Sequence, residues 1–428
     1  MLTFWIIVYN IIVVPILWIL FIIGGLLKQK YRVGIKGRLN LFDNLRKQLD
    51  NLPEGSDKIW FHASSLGEFE QAKAIIAELK KNHPEIKIIV SFFSPSGYEP
   101  SKKYKLADAI IYIPFDSYRN ADKFIKMIKP KAAVMIRYDL WPNHIWALKK
   151  QHVPIFIANA TMRENTIRRF PVLKSFHSKL YNAVNYILTV SEKDLITFDI
   201  FKLTSPKMGV MGDSRYDQVW QRSIDSKKKH LMPEKILIGK KIFIVGSSWE
   251  ADEKVLFPVF FKLQQNEPDL LMILVPHEPT ENNLERIESE LNGQTTHMRF
   301  SELNDYAGER VLIVDSIGIL MALYRYAHVA FVGGSFRGGV HNVLEPAVYG
   351  IPVIFGPNHT NSQEATLLLN EKIAFMGSDD KEMYRILRTL LSDETIRSEF
   401  GQKAFLFIKK NIGATQKFLS YFQKVLVN

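Results

Sequence analysis

Residues 333–346 have the sequence Gly333-Gly334-Ser335-Phe336-Arg337-Gly338-Gly339-Val340-His341-Asn342-Val343-Leu344-Glu345-Pro346, in which four glycines lie between two segments of regular character. The apolar run His328–Val332 precedes it and predicts a buried strand. Asn342 can cap a short helix from Val343 to Tyr349. Glycines let backbone N–H groups approach a ligand, and a helix N-terminus adds unpaired donors and partial positive charge. The stretch therefore predicts a phosphate site at the end of a strand.

Three side chains of this stretch point to a fuller ligand site. Arg337 and His341 can add positive charge to the backbone donors, and Glu345 lies about one helical turn beyond the glycines, where its carboxylate can accept from ribose hydroxyls. A simpler interpretation is open as well, with Arg337 as a solvated loop charge and Glu345 as an acid that answers the helix dipole. Glycine-rich turns also occur only to let elements pack closely. From this stretch alone, binding and packing are both open.

Short apolar runs alternate with helical patterns on both sides of this stretch, which is the rhythm of parallel α/β sheets. The first set of predicted strands is Ile59–His62, Ile86–Phe93, Ala109–Ile113, Ala132–Ile136, Pro154–Ala158 and Tyr186–Val190. The second set is Lys241–Gly246, Leu271–Val275, Arg310–Val314, His328–Val332 and Ile351–Phe355. The sequence thus predicts two doubly wound α/β domains in one chain.

The same rhythm divides the chain into five parts. They are an apolar anchor at 1–27, an N-terminal α/β domain at 28–220, a linker at 221–238, a C-terminal α/β domain at 239–405 and an amphipathic helical region at 406–428. The linker is placed where Lys227-Lys228-Lys229 and Pro233 interrupt the alternation. We therefore expect the domain boundary near residue 220.

The composition is that of a globular protein, with 428 residues of which 47% are apolar and 23% charged. A formal net charge of +12 indicates acidic partners, namely nucleic acid, anionic lipid or phosphorylated substrates. Basic residues are not interleaved with aromatics on one evident sheet face, so nucleic-acid binding is not predicted. The absence of cysteine excludes disulfides, thiolate catalysis and cysteine-ligated metals.

The segment from Phe4 to Leu27 has no charged residue, and Asn10 is its only strongly polar one. A helix of this length can span the hydrocarbon core of a bilayer, which is about 30 Å thick. A cleaved signal peptide fits less well, because no positive residue precedes the run and the run exceeds the usual ~7–15 residues. A buried core helix is the third interpretation. The sequence favours a single N-terminal transmembrane helix.

Basic residues crowd the segment that follows this apolar run: Lys28, Lys30, Arg32, Lys36, Arg38, Arg46 and Lys47, against Asp43 and Asp50. By the positive-inside rule, this excess predicts that the domains lie in the cytoplasm. Near anionic headgroups, each basic residue contributes about 1 kcal/mol of attraction. We therefore expect an anionic membrane surface as a partner.

Polar residues follow the predicted strands of the first domain, at the sheet edge where ligands of such folds bind. A small-residue loop with Ser64 and Ser65 leads from a strand into a helix that begins near Glu68. The Glu68 carboxylate can act as a general base, or it can compensate the helix dipole with a serine as cap. Arg137 and Asp139 follow another strand, where ligand binding and a simple ion pair between the two are both open.

In the second domain, Gly246-Ser247-Ser248 follows a strand and offers hydroxyls to phosphate or carboxylate. His277 ends the next strand, either as a nucleotide contact or as a partner of loop carbonyls. Asp315 ends a further strand, where it can cap a helix or contact a base. The sequence contains no metal motif such as H-E-x-x-H. Phosphate must then be held by backbone, Arg, Lys and His groups.

A second group of basic residues lies in the first domain and comprises Arg163, Arg168, Arg169, Lys174 and Lys179. This group suits a phosphorylated acceptor. The simpler interpretation is the solvated face of a surface helix.

Taken in chain order, the motifs resemble those of one enzyme family. They are H-A-S-S-L-G-E at His62–Glu68, D-L-W-P-N at Asp139–Asn143, G-S-S-W-E at Gly246–Glu250, V-P-H-E-P at Val275–Pro279, D-S-I-G-I-L at Asp315–Leu320 and F-V-G-G-S-F-R-G-G-V-H-N-V-L-E-P-A at Phe331–Ala347. This order resembles the Kdo transferases, membrane-anchored enzymes that move 3-deoxy-D-manno-octulosonic acid (Kdo) from CMP-Kdo onto a lipid A precursor. The resemblance covers nearly the whole chain.

The resemblance implies a GT-B fold, in which an N-terminal acceptor domain and a C-terminal CMP-sugar domain, both Rossmann-like, face a cleft, and in which a terminal helix often crosses back. It implies an inverting, metal-independent transfer without a cofactor, at the cytoplasmic side of the inner membrane, in lipopolysaccharide biosynthesis. The expected partners are CMP-Kdo, a lipid A precursor (lipid IVA) and the anionic membrane surface.

The resemblance makes Glu68 the catalytic base and implies CMP contacts from Gly334, Gly338, Gly339, Asn342 and Glu345, with Glu345 on ribose. With the strand-end residues added, the predicted donor-binding set also holds Gly246, Ser247, Ser248, His277, Asp315, Ser335, Arg337 and His341. Arg137 and Asp139 complete the predicted catalytic group. The predicted acceptor or phosphate contacts are Ser65, Arg163, Arg168 and Arg169.

Arg137 departs from the family's usual E-T-E-L-W-P, because this chain has R-Y-D-L-W-P at Arg137–Pro142. We expect Arg137 to bind the carboxylate of the acidic sugar or an acceptor phosphate, since Arg presents a bidentate fork to either. Two other functions stay open. One is a different GT-B enzyme that uses a UDP-sugar, and the other is a non-enzymatic membrane protein that binds nucleotide or anionic lipid.

Overall fold

The computed structural model describes residues 2–426, which form two compact units. The first unit comprises Met1–Gln218 and Ile412–Asn428, and the second comprises Val219–Asn411. Each unit has its own seven-stranded sheet and its own hydrophobic core. The prediction of two α/β domains is confirmed.

All strands are parallel within their sheets. Those of the first unit are β1 (Lys58–Ala63), β2 (Lys87–Phe92), β3 (Ala109–Tyr112), β4 (Ala132–Ile136), β5 (Ile155–Ala160), β6 (Tyr186–Thr189) and β7 (Lys207–Val210). Those of the second are β8 (Lys241–Ser248), β9 (Leu270–Pro276), β10 (His297–Arg299), β11 (Val311–Ile313), β12 (Val329–Val332), β13 (Val353–Phe355) and β14 (Phe375–Met376). The spatial orders are β3-β2-β1-β4-β5-β6-β7 and β10-β11-β9-β8-β12-β13-β14.

Helices connect the strands and cover both faces of the sheets. From the N-terminus they are α1 (Leu2–Val8), α2 (Val14–Leu27), α3 (Gln29–Lys36), α4 (Leu41–Asp50), α5 (Leu66–Asn82), α6 (Pro95–Ser101), α7 (Tyr118–Ile128), α8 (Pro142–Lys150), α9 (Pro171–Tyr181), α10 (Glu192–Phe198) and α11 (Ser214–Ser226). They continue with α12 (Glu234–Leu237), α13 (Glu250–Leu263), α14 (Glu281–Leu291), α15 (Leu320–Leu323), α16 (Leu344–Ala347), α17 (Gln363–Asn370), α18 (Asp380–Ser392), α19 (Glu394–Asn411) and α20 (Ala414–Leu426). Short 3-10 turns lie at Ile167–Arg169, Asp199–Phe201, Phe300–Asp305 and Tyr324–Tyr326, and a π-helical turn lies at Tyr9–Val13.

The first strand of each unit lies inside its sheet, with β1 between β2 and β4 and β8 between β9 and β12. The order in which the chain adds strands reverses at these points. The loops at the carboxyl ends of β1 and β4 therefore diverge and leave a crevice, and so do those of β8 and β12. The predicted site residues near Glu68 and Arg137 follow β1 and β4, and the glycine stretch follows β12. Both predicted sites therefore lie at the switch point of a sheet.

Two parts of the predicted organisation differ from the structure. Residues 221–238, expected to be a linker, hold the end of α11 and the whole of α12, and the division between the units falls inside α11. The region 406–428 is not one helix, because Gly413, at φ 108°, separates α19 from α20. Helix α19 belongs to the second unit, whereas α20 packs on the sheet of the first through Phe418 and Phe422, whose rings contact that of Phe156.

The N-terminal apolar segment forms a continuous helical stretch over Thr3–Leu27 that is long and apolar enough to cross a membrane. Most of its outward face is exposed, but Tyr9 is buried in the core of the first unit. The π-helical turn Tyr9–Val13 interrupts the α-helix at that contact, as such turns often do where a side chain has a specific role. The expected apolar helix is present, and it touches the globular unit.

Candidate functional site

Glu68 lies at the start of α5, directly beyond the carboxyl end of β1. The backbone N–H of Ser64 donates to Glu68 Oε2 at 2.5 Å, while Oε1 accepts no hydrogen bond within residues 2–426. The residue is only 8% exposed. Burial raises the pKa of this carboxyl, the nearby charge of Asp139 raises it further, and the Ser64 hydrogen bond, His62 and Arg137 act in the opposite direction. Glu68 is thus a fixed carboxylate with enhanced basicity.

Asp139 is the centre of a polar cluster next to Glu68. Its Oδ2 accepts from the Ser64 hydroxyl and from Trp141 Nε1 at 3.2 Å, and it lies 3.3 Å from His62 Nε2. His62 is fully buried, and its Nδ1 lies 2.8 Å from the hydroxyl of Ser91. These contacts hold the Asp139 carboxylate beside the start of α5. His62 and Ser64 were missed as individual sites although both lie in the H-A-S-S-L-G-E motif.

Arg137 leaves β4 in a left-handed backbone conformation, at φ 66°. In the described part of the chain it forms no ion pair with Asp139. The alternative prediction, a simple ion pair between these two residues, is therefore wrong. Its Nε is buried and has no hydrogen-bond partner among residues 2–426. Its charge lowers the pKa of both Glu68 and Asp213. Arg137 is therefore a cation directed at this cluster with unused donor capacity.

A second acid near Arg137 was not predicted from the sequence. Asp213 is buried, forms an ion pair with Arg215 at 2.5 Å and accepts from Gln71 Nε2 at 3.1 Å. Burial alone would raise the pKa of Asp213, but Arg215 and, more weakly, Arg137 hold it below its usual value. Asp213 follows β7, which the sequence pattern missed, so the strand-end rule could not be applied to it.

The predicted acceptor residues divide into three groups in the structure. Ser65 is the N-cap of α5 by backbone conformation but makes no capping hydrogen bond with its side chain. Arg168 donates to Tyr181 Oη at 2.7 Å and lies 6.0 Å from the ring of Tyr138, close to the Arg137–Asp139 segment. Arg163 and Arg169 are exposed. Arg168 is thus the member that the fold brings toward the candidate site.

A shallow cavity of about 440 Å³ lies beside these arginines. It is lined by Glu164, Arg169, Lys193, Ile196, Thr197 and Ile200. Lys193 pairs with Glu164 at 3.1 Å across its edge. The mixture of cations and apolar side chains at one cavity suits an amphipathic anion better than a purely polar one.

In the second unit, the glycine loop after β12 is closed by its own hydrogen bonds. Gly334 N and Phe336 N donate to the two oxygens of Asp252, at 2.7 and 3.0 Å. The N–H groups of Arg337, Gly338 and Gly339 all donate to Gly334 O. The helix that follows is only Leu344–Ala347, shorter than the predicted Val343–Tyr349. These donors therefore do not form the expected phosphate cradle, because a buried carboxylate and a loop carbonyl already accept from them.

A stack of side chains forms next to this loop. The guanidinium carbon of Arg337 lies 3.9 Å from the ring centroid of Trp249, Trp249 lies 4.6 Å from His277, and His277 lies 4.4 Å from His341. Trp249 Nε1 also donates to His341 Nε2 at 3.0 Å. Burial lowers the pKa of His277, and burial with repulsion from His277 lowers that of His341 to about 4. The prediction that His341 adds positive charge is therefore wrong at neutral pH, and Arg337 is the cation of the stack.

Three predicted donor contacts serve the fold instead. Ser248 is buried and donates to Glu253 Oε1 at 2.6 Å. Ser335 is fully buried, and its hydroxyl accepts from Gly356 N at 2.7 Å. Gly246 makes room for Tyr324, whose hydroxyl would collide with any Cβ at that position. All three residues follow strands. The two serine hydroxyls have hydrogen-bond partners inside the unit, and the position of the glycine leaves no room for a side chain.

The remaining predicted donor contacts are at least partly accessible. Glu345 is paired with Arg222 at 3.0 Å and accepts from Asn342 Nδ2 at 3.3 Å. Asp315 accepts from the hydroxyl of Ser301 at 2.5 Å. Ser247 adopts a left-handed conformation at φ 55°, and its carbonyl lies close to Gly333 of the glycine loop. Arg222 was missed because it lies in the segment taken for a linker.

No group of three or more His, Asp or Glu side chains within residues 2–426 is arranged to hold a metal ion. The independence of the reaction from metals stays a prediction.

The chain is similar in sequence to known proteins. Residues 34–218 match the family model described as 3-deoxy-D-manno-octulosonic-acid transferase (Kdo transferase). The chain is 26% identical over 385 residues to the 3-deoxy-D-manno-octulosonic acid transferase of Haemophilus influenzae, covering 87% of this chain and 88% of that protein. It is 28% identical over 361 residues to the protein of the same name from Chlamydophila psittaci, covering 82% and 81%.

Solved structures share the fold. The UDP-GlcNAc 2-epimerase of Neisseria meningitidis superposes with a TM-score of 0.58 at 14% identity, over 86% of this chain and 99% of that one. At this identity the likeness concerns the fold alone. With two doubly wound parallel sheets of seven strands each, the architecture is of the GT-B type.

Proposed function

We propose that this chain is a glycosyltransferase that moves Kdo from CMP-Kdo onto a lipid A precursor such as lipid IVA, in lipopolysaccharide biosynthesis. The transfer inverts the anomeric centre and uses no metal ion or cofactor. The observation that carries the proposal is Glu68, a nearly buried carboxylate of raised pKa inside the segment that matches the family model.

Glu68 supplies the base for this reaction. The acceptor hydroxyl oxygen attacks the anomeric carbon of Kdo, the bond from that carbon to the phosphate oxygen breaks, and CMP leaves with the bonding electrons. The hydroxyl proton passes to Glu68 Oε1, which accepts no hydrogen bond from residues 2–426, while Ser64 N holds Oε2 in place. A raised pKa favours this step because the carboxylate binds a proton more tightly.

On the donor side, Arg337 is the cation that we assign to the phosphate of CMP. Its guanidinium stacks on Trp249, which holds the fork in one plane and leaves its edge free for a bidentate contact. The neutral His277 and His341 can donate or accept one hydrogen bond each without adding charge. Glu345, steadied by Arg222, remains the proposed acceptor for ribose hydroxyls.

The acceptor is a lipid, so the enzyme must work at a membrane. We assign anchoring to the apolar segment Thr3–Leu27 and place the two units on the cytoplasmic side of the inner membrane. The basic segment after it contacts anionic headgroups. Arg168, near Tyr138, is the proposed contact for an acceptor phosphate.

The direct test is incubation of the purified full-length chain with CMP-Kdo and lipid IVA, followed by mass spectrometry of the lipid. We expect a product heavier by one or more Kdo residues, with release of CMP. Calorimetric titration with CMP and UDP tests the donor base, and tighter binding of CMP is expected. An unchanged lipid together with preferential binding of UDP would replace the proposal by a UDP-sugar enzyme of the same fold.

Two glycines of the loop after β12 give a matched pair of variants. Gly333→Ala is expected to destabilise the second unit by about 2–4 kcal/mol, because the new Cβ would collide with the backbone carbonyl of Ser247. Gly338→Ala is expected to leave the melting temperature unchanged, because nothing lies within 4 Å of a Cβ there, yet to weaken CMP binding, because the methyl group would follow directly after Arg337, the proposed phosphate contact. Thermal melts with and without CMP measure both. Unaltered CMP affinity in Gly338→Ala would remove Gly338 from the donor site.

Arg137 gives a second test. Arg137→Glu is expected to lower the transfer rate by about 100-fold or more and to weaken donor binding, because it replaces a cation with unused donors by an anion beside Glu68 and Asp139. It should also move the acid limb of the pH–rate profile upward, since the charge that lowers the pKa of Glu68 is lost. Arg119→Glu makes the same charge change at an exposed site and serves as control. Kinetics equal to those of Arg119→Glu would discard the role of Arg137.

A further inference from the structure

The apolar segment Thr3–Leu27 packs lengthwise on the first unit. Its buried and half-buried residues fall in two groups, one within residues 5–14 and one within residues 21–25, and residues 15–20 between them are exposed. Ile6, Val13 and Val14 pack against the core of the unit, to which Tyr9 belongs. At about 1.5 Å per residue, the two groups together span roughly 30 Å of helix, which is about the length needed to cross a bilayer core.

Polar contacts fix the first half of the segment to the unit. Tyr9 Oη donates to Asp116 Oδ2 at 2.8 Å, and Asp116 is almost fully buried. Asn10, the only strongly polar residue between Phe4 and Leu27, exchanges side-chain hydrogen bonds with Asn143 at 2.9 and 3.0 Å. Its oxygen also accepts from Tyr118 N. The polar residues of this apolar helix are therefore used for docking on the unit.

Aromatic contacts fix the second half. The ring of Phe21 lies 5.6 Å from that of Phe93 and 6.1 Å from that of Phe115. The guanidinium of Arg38 lies 5.5 Å from the Phe21 ring and donates to the carbonyls of Phe93 and Ile113. The end of the segment is thus held by the same unit as its beginning.

Helix α3 turns back along the end of α2. A Cβ at Gly24 would lie 3.0 Å from the ring of Tyr31, and one at Gly25 would lie 2.5 Å from Ile35 Cδ1, so the two helices approach closely. Helix α3 also carries the exposed Lys30, Arg32 and Lys36. A transbilayer placement of α2 would draw these charges below the headgroups, where ionised side chains are strongly disfavoured.

The outward face of the segment is apolar along its whole length. Its exposed large apolar residues are Phe4, Ile7, Ile11, Ile12, Ile16, Leu17, Trp18, Ile19, Leu20, Ile22, Ile23, Leu26 and Leu27. Three exposed apolar residues at or just before the start of α9 extend this apolar face: Ile167, Phe170 and Val172. They lie near the segment because Phe176 of α9 contacts Trp5. Exposed cations border this apolar face. Lys28 lies at the end of the N-terminal segment, and Arg163 and Arg169 lie beside the apolar residues near α9. An apolar face with a basic rim matches acyl chains edged by anionic headgroups.

We propose that this segment lies in the plane of the membrane, with its outward face in the acyl chains of the cytoplasmic leaflet and its inward face docked on the first unit, and that it does not cross the bilayer. The transmembrane placement that composition favours would require the Tyr9 and Asn10 contacts to break or the unit itself to enter the lipid. This inference rests on the membrane association proposed above, but it is independent of which group the enzyme transfers.

Because the chain has no cysteine, single introduced thiols report position without background. Thr3→Cys places a thiol at the exposed start of the segment, and Lys235→Cys places one on the second unit as a cytoplasmic reference. In sealed inverted and right-side-out vesicles from expressing cells, we expect an impermeant maleimide to label both variants only in the inverted vesicles. Labelling of Thr3→Cys only in right-side-out vesicles would overturn the proposal.

The docked contact is tested by cross-linking in the same membranes. Asn10→Cys with Asn143→Cys is expected to form a disulfide on mild oxidation in most molecules, whereas Ile12→Cys with Asn143→Cys, whose first thiol faces outward, should form at least ten-fold less. Equal yields for the two pairs in folded protein would overturn the docking. Should the double variants misfold, the labelling result decides alone. Recovery of the chain in the soluble fraction, free of membranes, would overturn both this placement and the proposed membrane anchoring. The transfer reaction would then still be tested separately, by the assay with a soluble acceptor.

Discussion

Glu68→Gln is expected to reduce the rate of Kdo transfer by about 10²–10⁴-fold while leaving the fold intact. Glutamine has the same shape, and its amide oxygen can still accept from Ser64 N, so the local structure of α5 should persist. The amide cannot take the proton of the attacking hydroxyl. Radiochemical transfer assays at saturating CMP-Kdo measure the loss, and CMP affinity should be unchanged because Glu68 is assigned to the acceptor side.

The control for this variant lies on the same helix. Glu78→Gln also removes a carboxylate from α5, but Glu78 lies ten residues beyond Glu68 and, within the described part of the chain, pairs with Lys81 and Gln416. It should retain the full rate. Near-normal turnover in Glu68→Gln would remove Glu68 from the mechanism.

The pH profile gives an independent check on the same residue. Glu68 must be ionised to act, and burial with the charge of Asp139 raises its pKa, so activity should fall as the pH drops through that raised value. Asp139→Asn removes one of the charges that raise it, and the acid limb should therefore move to lower pH even where the maximal rate is reduced. An acid limb that does not move would show that another group controls it.

Asp252→Asn is expected to destabilise the second unit by about 3 kcal/mol and to abolish high-affinity CMP binding. Asp252 is fully buried and accepts from Gly334 N and Trp249 N through Oδ2 and from Phe336 N through Oδ1. In either orientation of an asparagine, an NH₂ group faces at least one backbone N–H. The glycine loop and the Trp249 platform for Arg337 would both lose their common support.

Calorimetry and CMP titration measure these effects, and a fall of roughly 6–12 °C in the melting temperature is expected for a unit of this size. Glu250→Gln, on the same helix but exposed and paired with Lys254, is the matched control. A variant at Asp252 that binds CMP normally would contradict the assignment of this loop to the donor.

The central strands could be predicted because parallel strands are buried on both faces and appear as continuous apolar runs. Each predicted run coincides with a strand, from β1 to β6 and again in β8, β9, β11, β12 and β13. The missed strands lie at or next to sheet edges and are short or polar, as in Lys207-Met208-Gly209-Val210 of β7. An edge strand is identified by its neighbour in space, and that neighbour is not visible in the local pattern.

The candidate site was predictable in place but not in detail. A carboxylate after β1 and glycines after β12 are strand-end signals that need only local sequence. That Asp252 would take the N–H groups of Gly334 and Phe336 depends on a contact between residues more than 80 positions apart. The neutrality of His341 likewise follows from burial against His277 and Trp249, which only the tertiary structure determines.

The last helix of the chain has a consequence for biosynthesis. The sheet of the first unit leaves the ribosome early, yet the face around Phe156 stays uncovered until Phe418 and Phe422 arrive with α20. The residues of the second unit are all made in between. At 5–20 residues per second, the ~200 intervening residues take on the order of 10–40 s, during which an apolar sheet face is open on the nascent chain. The first unit can therefore complete its fold only after α20 has been synthesised.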